Sequence, residues 1–239
     1  MLLLMKKCHI FIILCLLALS SYPQDTINRI SEKGLKEGYW RKLDTAGKKI
    51  YEGRFSNGMP AGTFQYYYPT GKVKAVSVFS KDGIMARTTT YFPSGKKMAE
   101  GNYIDEKRDS IWQFFSEFDG VLLSEETYRN GRKDGVSKTY YAGKGPAEEI
   151  TYKDGLKEGP WLQYYSDGKI KMRTRNRNDM KEGMMEAFSE TGVLLFKGKY
   201  VEGNPDGIWL SYDDKGILVK KEVYDKGLLI KSEEFTDPK

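Results

Sequence analysis

Large apolar residues recur along this chain at a fixed spacing. One column, Leu43, Tyr67, Tyr91, Phe115, Tyr140, Tyr164, Phe188 and Tyr212, advances by 24 residues at every step except one of 25. A second column lies three residues earlier: Trp40, Phe64, Thr88, Trp112, Ser137, Trp161, Met185 and Trp209. It holds all four tryptophans and weakens in alternate copies. A third, Phe55, Phe79, Tyr103, Tyr128, Tyr152, Asn176, Tyr200 and Tyr224, keeps the same clock and runs into glycine pairs such as Gly58 with Gly62 and Gly131 with Gly135. Periodicity of this length is the signature of an array of one supersecondary unit, each copy burying its apolar face against the next.

Each unit reads as two strands and two turns: Thr63 to Tyr68, then Pro69, Thr70 and Gly71, then Lys72 to Phe79. Asn57 with Gly58 and Asn130 with Gly131 supply the positive φ that tight hairpins require. A glycine or turn about every ten residues leaves too little length for a stable helix. The expected fold is therefore all-β: an elongated, single-layer antiparallel meander of about eight 24-residue β-hairpins. Sixteen strands at ~4.8 Å spacing span on the order of 75 Å. With few aliphatic side chains, the 17 Tyr, 11 Phe and 4 Trp must do most of the packing. The terminal stretch Lys220 to Phe235, taken as one charged strand, is expected to cap one edge, and Asp25 to Lys33 the other.

The run Tyr51, Glu52, Gly53, Arg54, Phe55, Ser56, Asn57, Gly58, Met59, Pro60, Ala61, Gly62 resembles the MORN repeat. Gly159, Pro160, Trp161, Leu162, Gln163, Tyr164, Tyr165 is similar to the bacterial MORN-variant form, and the resemblance spans roughly Gly34 to Glu233. It implies a binding scaffold or membrane-surface platform without chemistry. Some bacterial proteins with such repeats are labelled toxin-neutralising antitoxins, which makes an inhibitor the alternative expectation.

The chain opens with Lys6 and Lys7, an apolar run from Ile10 to Leu19, and Ser20. The run is about half the ~20 residues that a membrane span needs, so residues 1–20 read as a cleavable signal peptide. Cys15 sits mid-run, so no lipid-attachment motif is formed. Residues 21–33 read as a linker, 34–233 as the repeat array and 234–239 as a tail. The protein is expected outside the cell or in the periplasm or envelope, as a monomer or an edge-paired dimer. Both cysteines (Cys8, Cys15) and the single histidine (His9) fall in the signal segment. A chain processed there has no disulfide, no thiol nucleophile, no Ser-His-Asp triad and no His- or Cys-ligated zinc, and no cofactor is expected.

The formal charge of +6 arises from 39 basic and 33 acidic residues. The signs are intermixed, which argues against nucleic acid as a partner and leaves a protein or a glycan. Two sets of residues are candidates for binding. Lys171, Arg173, Arg175 and Arg177 occupy alternate positions, hence one face of one strand, where they could meet phosphate, sulphate or an acidic partner, although a solvated face that discourages aggregation explains them better. Trp40, Trp112, Trp161 and Trp209 with Tyr164 and Tyr212 could form an aromatic strip for a sugar or an extended peptide, although packing explains these rings better. Adjacent acids such as Glu125 with Glu126 point to opposite faces and cannot flank one glycosidic bond, so a glycan-degrading enzyme is the weakest expectation.

Overall fold

The computed structural model describes residues 26–235; the expected signal peptide and most of the expected tail lie outside the described residues. The strands, in chain order, are β1 (Arg29–Ile30), β2 (Lys36–Leu43), β3 (Lys49–Ser56), β4 (Met59–Tyr67), β5 (Val73–Phe79), β6 (Met85–Tyr91), β7 (Lys97–Ile104), β8 (Lys107–Phe115), β9 (Leu122–Arg129) and β10 (Arg132–Lys133). There follow β11 (Gly135–Tyr140), β12 (Pro146–Lys153), β13 (Leu156–Tyr164), β14 (Ile170–Arg177), β15 (Met180–Phe188), β16 (Leu194–Val201), β17 (Asn204–Tyr212), β18 (Leu218–Asp225) and β19 (Leu228–Glu234). Each pairs antiparallel with its sequence neighbour, as in β2 with β3 and β17 with β18, and β10 and β11 are two pieces of one strand beside β9. The result is the single-layer, all-β meander expected from the repeat.

Turn chemistry sets the register. Asn57–Gly58, Asn130–Gly131 and Asp154–Gly155 close two-residue hairpins with both residues at positive φ, the conformation whose twist matches the flanking strands. The single 25-residue step falls in the turn between β8 and β9. There Gly120 N–H donates to the Ser116 carbonyl, whereas the equivalent Gly71 and Gly168 donate to residues three back, Tyr68 and Tyr165. The extra residue widens that turn and leaves Phe118 91% exposed. Neighbouring units are also clasped by side chains: the hydroxyls of Tyr68, Tyr141 and Tyr165 each donate to a carbonyl one repeat onward, all at 2.7 Å.

The core is a row of alternating large and small residues on one face of the sheet. Trp40 pairs with Gly53, Phe64 with Ser77, Ser77 with Thr88, and Thr88 with Gly101. A Cβ at Gly53 would stand 2.4 Å from the Phe64 ring, one at Gly101 2.4 Å from Trp112, and one at Gly198 2.0 Å from Trp209. Each ring therefore lies flat across the backbone of the preceding strand, which only glycine permits. A single-layer sheet buries Phe64, Trp112 and Trp209 to 2%, 1% and 3% exposure in this way.

Two expectations at the C-terminal edge need correction. Lys220 to Phe235 is not one strand, because Lys226 and Gly227 take positive φ and fold it into the hairpin of β18 and β19. Its Lys220, Lys221, Lys231 and Glu233, expected to charge the edge enough to cap it, leave apolar residues open there: β19 leads with Leu228, Leu229 and Ile230, exposed at 69%, 46% and 59%. β19 adds one full strand to the sixteen that eight hairpins predict. At the other edge β1 pairs with β2, Arg29 opposite Glu37, within the stretch expected to cover it.

Candidate functional site

The residues singled out from sequence do not assemble into one site. Trp40, Trp112, Trp161 and Trp209 lie in the core row, whereas Tyr164 and Tyr212, an odd number of positions away, lie on the opposite face together with Lys171, Arg173, Arg175 and Arg177. A register shift just before each member of the tyrosine column, between Gln163 and Tyr164 for example, fixes that orientation. Trp112 and Trp209 are closed off from solvent. Trp161 is half-buried, its indole N–H donating to Glu148 at 2.8 Å.

The basic stripe does share one exposed face, with Met172, Thr174 and Asn176 buried between its members. Arg173 is paired with Glu186 at 2.5 Å and stands over the Phe188 ring, and Lys171 stands over Tyr165. The stripe begins a change of sign along that face. The equivalent position in successive repeats is Glu52, Val76, Glu100, Glu125 and Glu149, then Arg173, Lys197 and Lys221. At the acidic end, burial opposes the charge of Glu52, but hydrogen bonds from Tyr39, Tyr67, Lys49 and Arg41 outweigh it and hold the carboxyl down to about 2. Burial and then the Glu125 carboxylate, 2.7 Å away, push the Tyr140 hydroxyl up to about 12. These are ionic and hydrogen-bonded networks that tie neighbouring repeats together.

A concave feature lies on the core face, from β3 to the β7–β8 turn. It is a groove of about 760 Å³. Its floor is β5 and β6, which carry small side chains inward: Ala75, Ser77, Ala86, Thr88 and Thr90. Its walls are aromatic, Phe55, Phe64, Tyr66 and Phe79 on one side and Tyr103 on the other. Two local departures from the repeat open it. Thr88 stands where four other copies place a tryptophan and the preceding copy Phe64, so no ring fills the row, and its hydroxyl shares a buried 2.8 Å hydrogen bond with Ser77. In addition, β5 pairs with β6 through an unbroken ladder, whereas the equivalent pairs β3–β4 and β7–β8 carry a bulge that presses a ring against a glycine.

The charges around the groove are one-sided. Asp105 and Glu106 form the β7–β8 turn at its rim, and they are the only charged residues among those lining it. Burial first, then Tyr51 and the negative charge of Glu106, raise the Tyr66 hydroxyl above its ordinary range. The sequence did carry a signal for this place. A basic–acidic pair recurs as Lys36–Glu37, Arg108–Asp109, Lys133–Asp134, Lys157–Glu158 and Lys181–Glu182, but the two intervening copies read Pro60–Ala61 and Ile84–Met85.

A groove of this size, with rings, hydroxyls and two carboxylates, can hold a ligand. It has no nucleophile–base pair, and among the described residues no group of His, Cys, Asp and Glu is placed to hold a metal ion. Fold and site together define a repeat-built antiparallel sheet that carries an aromatic groove on its core face. Four segments of the chain, residues 61–81, 87–105, 133–154 and 157–175, match the MORN repeat variant family, the first two supplying half of the residues that line the groove. No curated protein matches the chain.

Proposed function

We propose that the protein is an exported, non-catalytic binding scaffold that holds its ligand, a protein or a glycan outside the cell or at its envelope, in the aromatic groove between β3 and β8. The observation that carries this is the groove itself. In a chain built to stack rings over glycines, two consecutive copies give up the basic–acidic pair and the second of them also gives up the ring and the bulge, and an open trough of about 760 Å³ results. Similarity to the MORN repeat variant, whose arrays are binding modules, supports the reading, and the N-terminal lysines and apolar run support export.

The test uses the full-length chain and its Thr88→Trp variant, which returns the missing ring to the groove. Each is immobilised and exposed to envelope extract and culture fluid of the source organism. A protein or glycan retained by the wild type and lost by an equally stable variant supports the groove as the site. A captured toxic enzyme would make the scaffold an inhibitor. Equal capture by both proteins would rule the groove out.

A further inference from the structure

The repeat itself indicates what its aromatic face accepts. One position, identified by the carbonyl that receives the turn N–H of the following hairpin, is Lys36, Ile84, Arg108, Lys133, Lys157, Lys181 and Pro205 in successive copies, with Pro60 in the same sequence register. Wherever that residue is a cation, it stands over a ring of the core face. Lys36 lies 4.9 Å from Trp40 and 4.7 Å from Phe55, Arg108 4.7 Å from Trp112 and 5.3 Å from Tyr128. Lys133 lies 5.2 Å from Tyr152, Lys157 5.5 Å from Trp161, and Lys181 4.8 Å from Tyr200. The quadrupole of an aromatic ring makes its face attractive to cations, and the array uses that attraction copy after copy.

At Pro60 and Ile84 the cation is missing, and these two residues line the groove. Phe79 and Tyr103, half-buried on either side of Ala86, are left without the lysine that the pattern would lay on their faces, and Arg108 instead donates to the Tyr103 hydroxyl. Pro205 lacks a cation too, but nothing is left open there, because Trp209 is 3% exposed beneath Phe196, Tyr200 and Tyr224. In the groove the vacancy coincides with Asp105 and Glu106. Glu106 takes φ of 60° at a turn position that is glycine in Gly58, Gly131, Gly155, Gly203 and Gly227. A left-handed conformation is unfavourable for a non-glycine residue, so the Glu106 carboxylate is held at the rim against the local backbone preference, as Asp179 is in the β14–β15 turn.

We propose that the groove receives a lysine side chain from a partner polypeptide, its ammonium lying between Phe79 and Tyr103 and facing the carboxylates of Asp105 and Glu106. This rests on the reading of the groove as the binding site and specifies its ligand. Lysine is the guest because four of the five internal caps are lysines. A polypeptide carries it because one ammonium fills only a small part of 760 Å³; the rest suits an extended segment packed along Met59, Ile84 and Ala86. The protein's own excess of positive charge repels cationic peptides in general, so any such binding reports a local site.

The probe is a fluorescein-labelled hexapeptide of alternating serine and lysine, titrated into the full chain by fluorescence anisotropy beside the same peptide with every lysine acetylated. We expect the charged peptide to bind at least tenfold more tightly. The double variant Asp105→Asn, Glu106→Gln should weaken it at least fivefold. Ile84→Lys, which supplies the internal cation and would stand over Tyr103 as Lys36 stands over Phe55, should weaken it about tenfold, and both variants should keep the wild-type unfolding temperature. Equal affinity for the two peptides, or binding that survives both variants, overturns the proposal. Choline that matches the peptide's affinity per ammonium overturns the polypeptide assignment. If Thr88→Trp abolishes capture of the natural partner while the lysine peptide fails to bind, the groove stands and the cation does not. If Thr88→Trp leaves capture unchanged, the groove reading itself has failed.

Discussion

The segment around Trp112 and the one around Thr88 are built from the same repeat a single copy apart, yet they end as opposites. At Trp112 an indole lies on Gly101, its N–H donating to the Asn102 carbonyl at 2.9 Å, with the Arg108 guanidinium over its face. At Thr88 the ring is gone, the strand pairing is unbulged, and the equivalent of Arg108 is Ile84. The first segment satisfies its aromatic face from within the chain, and the second leaves it open. A repeat protein can thus acquire a site by omission: the scaffold already contains the attractive surface, and withholding its own ring and cation makes room for a guest.

The contrast can be broken most directly at the two residues themselves. Trp112→Ala removes a ring at 1% exposure and should cost about 3–5 kcal/mol in urea unfolding, whereas Thr88→Ala, losing one hydroxyl bonded to Ser77, should cost about 1 kcal/mol. Comparable losses at both would show that the groove floor is ordinary core. Next in size is Gly198→Ala. Its new Cβ would meet the Trp209 ring at 2.0 Å and force the indole to move, at about 1–3 kcal/mol, while alanine for Ser77, on the groove floor, forces no ring to move.

Smaller effects come from the opposite face. Glu52 has a folded-state pKa of about 2, below its ordinary 4.5. The unfolded chain therefore binds the proton first as pH falls. The contribution is fully present above about pH 4.5 and is lost as pH drops through 2. Its partners Arg41 and Lys49 are more than a third exposed, so solvent screening reduces it to about 1 kcal/mol. Glu52→Gln should lose that amount at pH 7 and flatten the acid limb of the unfolding temperature between pH 4.5 and 2; an unchanged limb would show that the network does not couple to folding. The smallest expected effect is Arg175→Glu on the basic stripe, within about 0.5 kcal/mol by thermal unfolding and without influence on ligand held in the groove. Lost binding with that variant would move the site to the opposite face.

Much of the fold could be read before any coordinates. The 24-residue clock located the strands, and Asn–Gly and Asp–Gly dipeptides located the turns, because φ above zero is a local demand that few residues meet. The edge at β19 was misread because Lys226 stands at a turn position that carries no asparagine or aspartate, so the hairpin was hidden in a charged run. Grouping the tryptophan and tyrosine columns into one strip was a parity error: positions three apart on a strand face opposite ways. The groove was missed because its sequence signal is an absence, Pro60–Ala61 and Ile84–Met85 where neighbouring copies have charge pairs.

The sequence by itself determined the repeat, the strand and turn boundaries, and the aromatic makeup of the core, since these follow from period, local backbone preference and composition. Only the tertiary structure decided which rings close and which stay open. That outcome depends on cross-strand neighbours 11 to 19 residues apart: Gly101 beneath Trp112, Ser77 beside Thr88, Lys36 over Phe55. Whether a ring lies flat depends on a bulge and a missing Cβ one strand away, and no single repeat contains both partners.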